Sequence, residues 1–177
     1  MKKQNTLITQ ESTEVVLRKA TNIMNRTNKI LENSKKELVT HSDVMMINGL
    51  MWEKETAEEE INWINWYDAM EYAKNLRLGG YDDWRLPTIE ELKEVIFSCG
   101  GIVIAQHDDN LKVVRAKNNS NKLYQECHKS KGFSSIYYWS SSINVNDTSD
   151  AWGINFYGGD TYSFYKNGSV EVRCVRG

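Results

Sequence analysis

Gly79-Gly80-Tyr81-Asp82-Asp83-Trp84-Arg85-Leu86-Pro87-Thr88, running straight into Ile89-Glu90-Glu91-Leu92, holds the only proline of the chain and a double glycine. Thr88 and Glu91 have the spacing of a capping box, in which the hydroxyl accepts from the Glu91 amide and the carboxylate from the Thr88 amide. Pro87 drives Leu86 out of the helical region, so the chain reaches this helix extended. Gly79 and Gly80 can end a preceding helix. The stretch therefore predicts helix, turn, extended arm, helix. It sets topology and by itself shows no chemistry.

Working outward, Asn65 to Arg77 predicts the preceding helix. Asn65 is its cap and Asp68 sits at the capping-box position. Trp66, Ala69, Met70, Ala73 and Leu76 share an inward face; Asp68, Glu71, Lys74 and Asn75 share a solvated one. The following helix, Ile89 to about Phe97, buries Leu92, Val95 and Ile96, and Cys99-Gly100-Gly101 breaks it. Before these helices, Val44, Met46 and Leu50-Met51-Trp52 read as short strands around the turn dipeptide Asn48-Gly49. After them, Ile102–Ile104 and Leu111–Val114 read as possible strands, and Lys117–Lys122 as a polar loop. From Ile136 the chain is strand-rich. Trp152, Ile154 and Phe156 alternate with Gly153 and Asn155, which predicts one buried face. Gly158-Gly159-Asp160 turns into Thr161–Lys166, Asn167-Gly168 is a hairpin signal, and Val170, Val172 and Cys174 alternate with Glu171 and Arg173. Helices first and an antiparallel meander last is the α+β pattern.

Five motifs then occur in order: GLMW (Gly49–Trp52), GGYDDWRLPT (Gly79–Thr88), YYWSSS (Tyr137–Ser142), AWGINF (Ala151–Phe156) and VRCVRG (Val172–Gly177). Together they resemble the C-terminal domain of the Legionella collagen-like (Lcl) adhesin family, from roughly Asp43 to Gly177, with Ile102–Ser135 fitting least. The resemblance implies a C-type-lectin-like fold: two helices packed on a twisted antiparallel sheet. That fold group includes formylglycine-generating enzyme, to which the RLPT-then-helix segment and the VRCV ending are similar. The expected core is Trp52, Trp66, Met70, Trp84, Leu86, Leu92, Val95, Trp139, Trp152, Ile154, Phe156, Val172 and Cys174.

Residues 1–40 read as a separate unit preceding a domain at 41–177. From Glu14 to Leu38, Val16, Leu17, Ala20, Ile23, Met24, Thr27, Ile30, Leu31, Ser34 and Leu38 form one stripe of a long amphipathic helix. The recurrences Val16–Ile23–Ile30 and Leu17–Met24–Leu31–Leu38 are those of a helical bundle or coiled coil. The helix either packs on its own domain or serves as a neck that makes a homo-oligomer, a trimer ahead of a dimer.

Composition limits the function. The formal charge of −2 on 177 residues and a pI near 6.0 argue against nucleic acid or anionic membrane as a partner. No apolar run approaches the ~18 residues of a membrane span. The opening MKKQNTLITQ contains no apolar h-region, so no secretory signal is visible. There are three cysteines, Cys99, Cys127 and Cys174. With no CxxC spacing they show no zinc site, and their odd number favours a reducing compartment. A Cys99–Cys127 bridge stays open. In relatives, the resemblance implies, a cysteine of the first body helix faces the one in VRCV; here Ala73 holds that position, so Cys174 reads as a small buried apolar residue.

Chemistry is sparse. His41, His107 and His128 are far apart, no phosphate loop is present, and no serine sits in a nucleophile elbow. Similarity to formylglycine-generating enzyme raises an oxidase alternative, but that chemistry needs paired reactive cysteines, and only Cys174 lies in the corresponding part. The loop Ile143–Asp150 gathers Asn144, Asn146, Asp147 and Asp150, oxygen ligands suited to sugar hydroxyls or to calcium, although without a calcium motif's spacing. Tyr157, Tyr162 and Tyr165 lie near turns, where exposed rings stack on sugars or anchor interfaces. Asp82, Asp83, Trp84 and Arg85 read as structural. The adhesin resemblance implies ligand recognition, sulfated polysaccharide included. An anionic ligand needs a basic patch, and Lys112, Arg115, Lys117, Lys122, Lys129 and Lys131 supply one against Glu126 alone. The expectation is a non-catalytic ligand-binding or adhesion-type module; the alternative is an intracellular protein-interaction or scaffold domain.

Overall fold

The computed structural model describes residues 15–31, 43–54 and 63–177. The chain divides into two compact units, Met1–Val39 and Thr40–Gly177. In the first, residues 15–31 form helix α1, exposed throughout. The hydroxyls of Thr21 and Thr27 donate back to the carbonyls of Leu17 and Ile23, each at 2.9 Å. The outer parts of the expected helix, Glu14 and residues 32–38, lie outside the described residues, as does His41.

The second unit is α+β. Among the described residues its elements run β1 (Val44–Ile47), β2 (Leu50–Glu53), α2 (Trp66–Asn75), α3 (Ile89–Ser98), β3 (Ile104–Ala105), α4 (Leu111–Ser120), α5 (Lys122–Ser130), β4 (Tyr137–Ile143), β5 (Asp150–Asn155), β6 (Asp160–Tyr165) and β7 (Val175–Arg176). They make a three-stranded sheet, β1-β2-β7, and a four-stranded sheet, β3-β6-β5-β4. All pairings are antiparallel except β3 with β6.

Local rules explain α2 and α3. Asn65 caps α2 by accepting from the Asp68 amide at 2.9 Å. The capping box of α3 is complete, with Glu91 N to Thr88 Oγ1 at 3.2 Å and Thr88 N to Glu91 Oε2 at 2.8 Å. The double glycine does something other than stop α2, which already ends at Asn75. Gly79 and Gly80 both have positive φ, 63° and 82°, and Leu78 and Tyr81 exchange backbone hydrogen bonds across them. That is a two-residue hairpin turn of the kind only glycine-like residues accept at both positions.

The region 102–135 differs most from expectation. Leu111–Val114 is no strand and Lys117–Lys122 no loop: together they are α4 and the start of α5. The inward positions of α4 are Leu111, Val114, Arg115 and Asn118, at helical spacing, but half of them are polar, so the apolar stripe is hidden. Asn118 is buried because its amide replaces backbone partners, bonding Ile102 N at 3.0 Å, Ile102 O at 2.7 Å and Gly158 O at 2.8 Å. In α5, Tyr124 and His128 are fully buried.

The four-stranded sheet is covered on both faces, not one. One core holds Tyr138, Ile154 and Phe156 with Leu92, Val95 and Ile96 of α3 and Tyr124 of α5. The other holds Trp139, Ala151, Val170, Val172 and Cys174 with Ala69 and Ala73 of α2 and Trp84 and Leu86 of the arm. Trp152 shares the face of Ile154 but lies two residues nearer the start of β5 and is half-buried; Trp66 is likewise half-buried. Met70 is 39% exposed, an outward residue of α2 and not a core one.

Residues 170–174 form no hairpin with β6. They cross the interior, held by the bridges Ile64–Val170 and Tyr138–Glu171 and by the Glu53 amide donating to the Cys174 carbonyl at 3.0 Å, and the alternation fails because Glu171 and Arg173 are buried as well. Arg173 is held by the Glu53 carbonyl at 2.6 Å and the Lys131 carbonyl at 2.7 Å, with its guanidinium 4.0 Å from the Phe133 ring centroid. The motifs stitch to one another: Arg85 pairs with Val175, Trp52 with Val175, and the Ser141 amide donates to the Pro87 carbonyl at 2.7 Å. Cys99, at the end of α3, is disulfide-bonded to Cys127 of α5, 28 residues on. The cysteines therefore divide into a bridge and one buried thiol, Cys174, which removes the cysteine-count argument for a reducing compartment.

Candidate functional site

The expected site residues separate into three places. Around the β4–β5 loop, Asn144 Nδ2 donates to Ser163 Oγ and Ser163 Oγ to Asp150 Oδ2, both at 2.9 Å. Asp147 Oδ1 accepts from the Ser149 amide at 3.0 Å and hydroxyl at 2.6 Å, bonds that hold its carboxyl below the usual carboxylate range. Lys166 Nζ reaches the Thr148 carbonyl at 2.8 Å. These oxygens are spent on shaping the loop; Asn146 stays exposed at its tip. Among the described residues no three His, Cys, Asp or Glu side chains gather as a metal site.

The tyrosines do not converge. Tyr165 is exposed at the loop's end of the sheet and pairs with Asp150. Tyr157 is exposed at the opposite end of β5, about 20 Å away at ~3.3 Å per residue. Tyr162 is half-buried, edge-on to Phe164 with ring centroids 4.5 Å apart.

The basic residues lie on α4, α5 and the turn after them. Lys112, Lys117, Lys122 and Lys129 are exposed, and Lys117 and Lys129 occupy last turns, where a helix favours cations. Arg115 is committed elsewhere: it grips the buried carboxylate of Asp160 with two bonds, 2.9 and 2.6 Å, and the Tyr137 hydroxyl also donates to that carboxylate. Lys131 Nζ donates to Ser98 Oγ at 2.6 Å, and partial burial lowers its pKa.

A cleft that sequence reasoning passed over lies between α2 and the extended arm. It has a volume of about 700 Å³ and is lined by Met70, Ala73, Trp84 and Leu86 together with polar residues of α2, the arm and Ser141 of β4. Its polar lining was legible only as a solvated helix face (Glu71, Lys74, Asn75) and a turn residue (Asp82). Nothing in sequence spacing brings the two together.

No reactive thiol faces any of these places. Cys174 is fully buried; burial first, then the Glu53 carboxylate beside it, push its thiol well above the usual range. Among the described residues no helix is long and apolar enough to cross a membrane.

Residues 45–176 match the model of the Lcl C-terminal domain. The chain belongs to that family. The match begins within β1 and ends with β7, so four of the five motifs, the fifth as far as Arg176, and the buried residues of both cores fall inside it. Membership points to an adhesion-type module in general. No curated protein matches the chain.

Proposed function

We propose that this Lcl C-terminal domain is a non-catalytic, lectin-like adhesion module that recognises anionic polysaccharide through α4 and α5. The carrying observation is the concentration of charge. Residues 111–131 hold six cations against Glu126 alone, in a chain whose net charge is −2, and four of the lysines project from two consecutive helices. A polyanion meeting this face releases counterions, and the contact weakens steeply with salt. The buried Cys174 supports a binding role over oxidase chemistry, which needs an accessible thiol or thiol pair. The Cys99–Cys127 bridge supports action in an oxidising compartment over an intracellular scaffold role. The apolar stripe of α1 supports a homo-oligomer, trimer ahead of dimer, in which several weak heads act together.

A heparin column at low salt tests the reading. The intact chain is expected to be retained and to elute with salt, and a variant with Lys112, Lys117, Lys122 and Lys129 changed to Ala to emerge earlier. Flow-through of the intact chain at low salt overturns it.

A further inference from the structure

We infer that the cleft between α2 and the arm is a second binding site, distinct from the basic helices, and that it takes a neutral pyranose unit. Its volume, about 700 Å³, lies in the range of small-molecule sites, roughly 300–1,000 Å³. Its floor is apolar: Ala73, Trp84 and Leu86 are buried and Met70 is partly open. Around that floor stand groups of both signs and both hydrogen-bonding senses: Glu71 and Lys74 from α2, Asp82 and Arg85 from the arm, and Ser141 from β4.

The state of these groups selects the ligand. Arg85 is already engaged by Glu91 through bonds of 2.8 and 2.7 Å. Glu71, Lys74 and Asp82 are exposed and make no ion pair among the described residues. A polyanion entering the cleft would meet two free carboxylates, and a cation would meet Lys74 beside the Arg85 guanidinium. A ring of hydroxyls fits both demands. It can donate to Glu71 and Asp82, accept from Lys74, and lay its C–H face over Met70.

The walls are held before any ligand arrives, which lowers the cost of binding. Trp66 Nε1 ties α2 to the Ser140 carbonyl at 2.8 Å, Trp84 Nε1 ties the arm to the Leu78 carbonyl at 3.1 Å, and Arg85 exchanges backbone bonds of 2.9 Å with Val175. The Ser141 amide and hydroxyl both point to the Pro87 carbonyl, at 2.7 and 3.2 Å, leaving the hydroxyl oxygen free to accept.

The test is saturation-transfer NMR on the full chain with cellotriose, chitotriose and mannotriose as separate probes. Transfer to at least one is expected, with affinity at least tenfold weaker in Glu71→Ala/Asp82→Ala and reduced in Lys74→Ala. Heparin should not displace the bound trisaccharide. All three substitutions are at exposed positions, and heparin retention of these variants should match the parent, which separates this site from the basic helices. No transfer to any probe, unchanged affinity in the double variant, or displacement by heparin overturns the inference.

Discussion

Arg115 reaches from α4 to grip Asp160, 45 residues away at the start of β6, with Nε to Oδ1 at 2.9 Å and Nη2 to Oδ2 at 2.6 Å. The Asp160 side chain is 1% exposed while that of Arg115 is 40% exposed. The pair works as a clamp: a surface helix supplies the counter-charge that a buried acid needs. Two glycines let it close. A Cβ at Gly158 would stand 2.5 Å from Asp160 Oδ1, and one at Gly159, whose φ is +76°, would stand 2.1 Å from the Ile102 carbonyl.

Arg115→Ala therefore strands a buried carboxylate. Leaving one partner of a buried pair uncompensated costs about 3–5 kcal/mol, and the partial exposure of Arg115 brings this down to about 2–3 kcal/mol. Urea unfolding should show the loss as a lower midpoint. Because the Arg115 charge is spent on Asp160, the same variant should leave a heparin column at nearly the parent's salt concentration. A loss of retention equal to that of a lysine variant would mean that Arg115 belongs to the binding face.

The capping box leads to a pH prediction. The Arg85 guanidinium, and after it the Thr88 bonds, hold the Glu91 carboxyl below its ordinary value despite partial desolvation. A folded-state pKa below the unfolded one contributes stability that is present above the unfolded value, about 4.3. That stability is lost as pH falls through the folded value. Thermal melts from pH 7 down to pH 3 should show part of the acid destabilisation vanish in Glu91→Gln, which is already weaker at pH 7. Thr88→Ala should cost about 1 kcal/mol and leave the Glu91–Arg85 contribution to the acid limb in place. An acid limb unchanged in Glu91→Gln counts against the assignment.

What sequence could disclose followed the range of the forces involved. The capping box of Thr88 and Glu91 and the Asn65 cap are local, so three-residue spacing was enough to find them. The α4 helix was missed because its inward side chains include Arg115 and Asn118, polar groups satisfied by partners 45 and 40 residues away. The strand expected at Val170–Cys174 failed for a similar reason: Arg173 looked outward until Phe133, Glu53 and Lys131 gave it an interior place. The cleft needed α2 and the arm to be brought face to face, which spacing along one element does not encode. The lysines of α4 and α5 were visible as a run of charge, and folding added that Arg115 is not one of the free ones.

The Cys99–Cys127 bridge closes a loop of 28 residues that includes β3 and α4. On chain-entropy grounds its removal costs about 3–4 kcal/mol. Cys99→Ser with Cys127→Ser, or a strong reductant, should lower the unfolding midpoint accordingly. Alkylation followed by intact-mass measurement should label none of the cysteines rapidly in the native oxidised protein. After denaturation without reductant it should label one, Cys174. Two rapid labels on the native chain would exclude the bridge, and three would exclude the burial of Cys174 as well.

The α1 helix tests assembly. Val16, Leu17, Ile23, Met24, Ile30 and Leu31 are between 52% and 66% exposed, an apolar stripe too large to leave in water on a helix that is marginal alone. The hydroxyls of Thr21 and Thr27 are turned back onto their own helix, which lets the seam close over them. Val16, Ile23 and Ile30, flanked by Leu17, Met24 and Leu31, make the seam along which we expect copies of the helix to pair, a trimer ahead of a dimer. Light scattering on the intact chain should give the mass of a trimer, and a chain beginning at Thr40 that of a monomer. Ile23→Asp with Ile30→Asp should produce the same dissociation in the full chain without altering the melting of the 40–177 unit. A monomeric intact chain, or an oligomer that survives both changes, removes the neck.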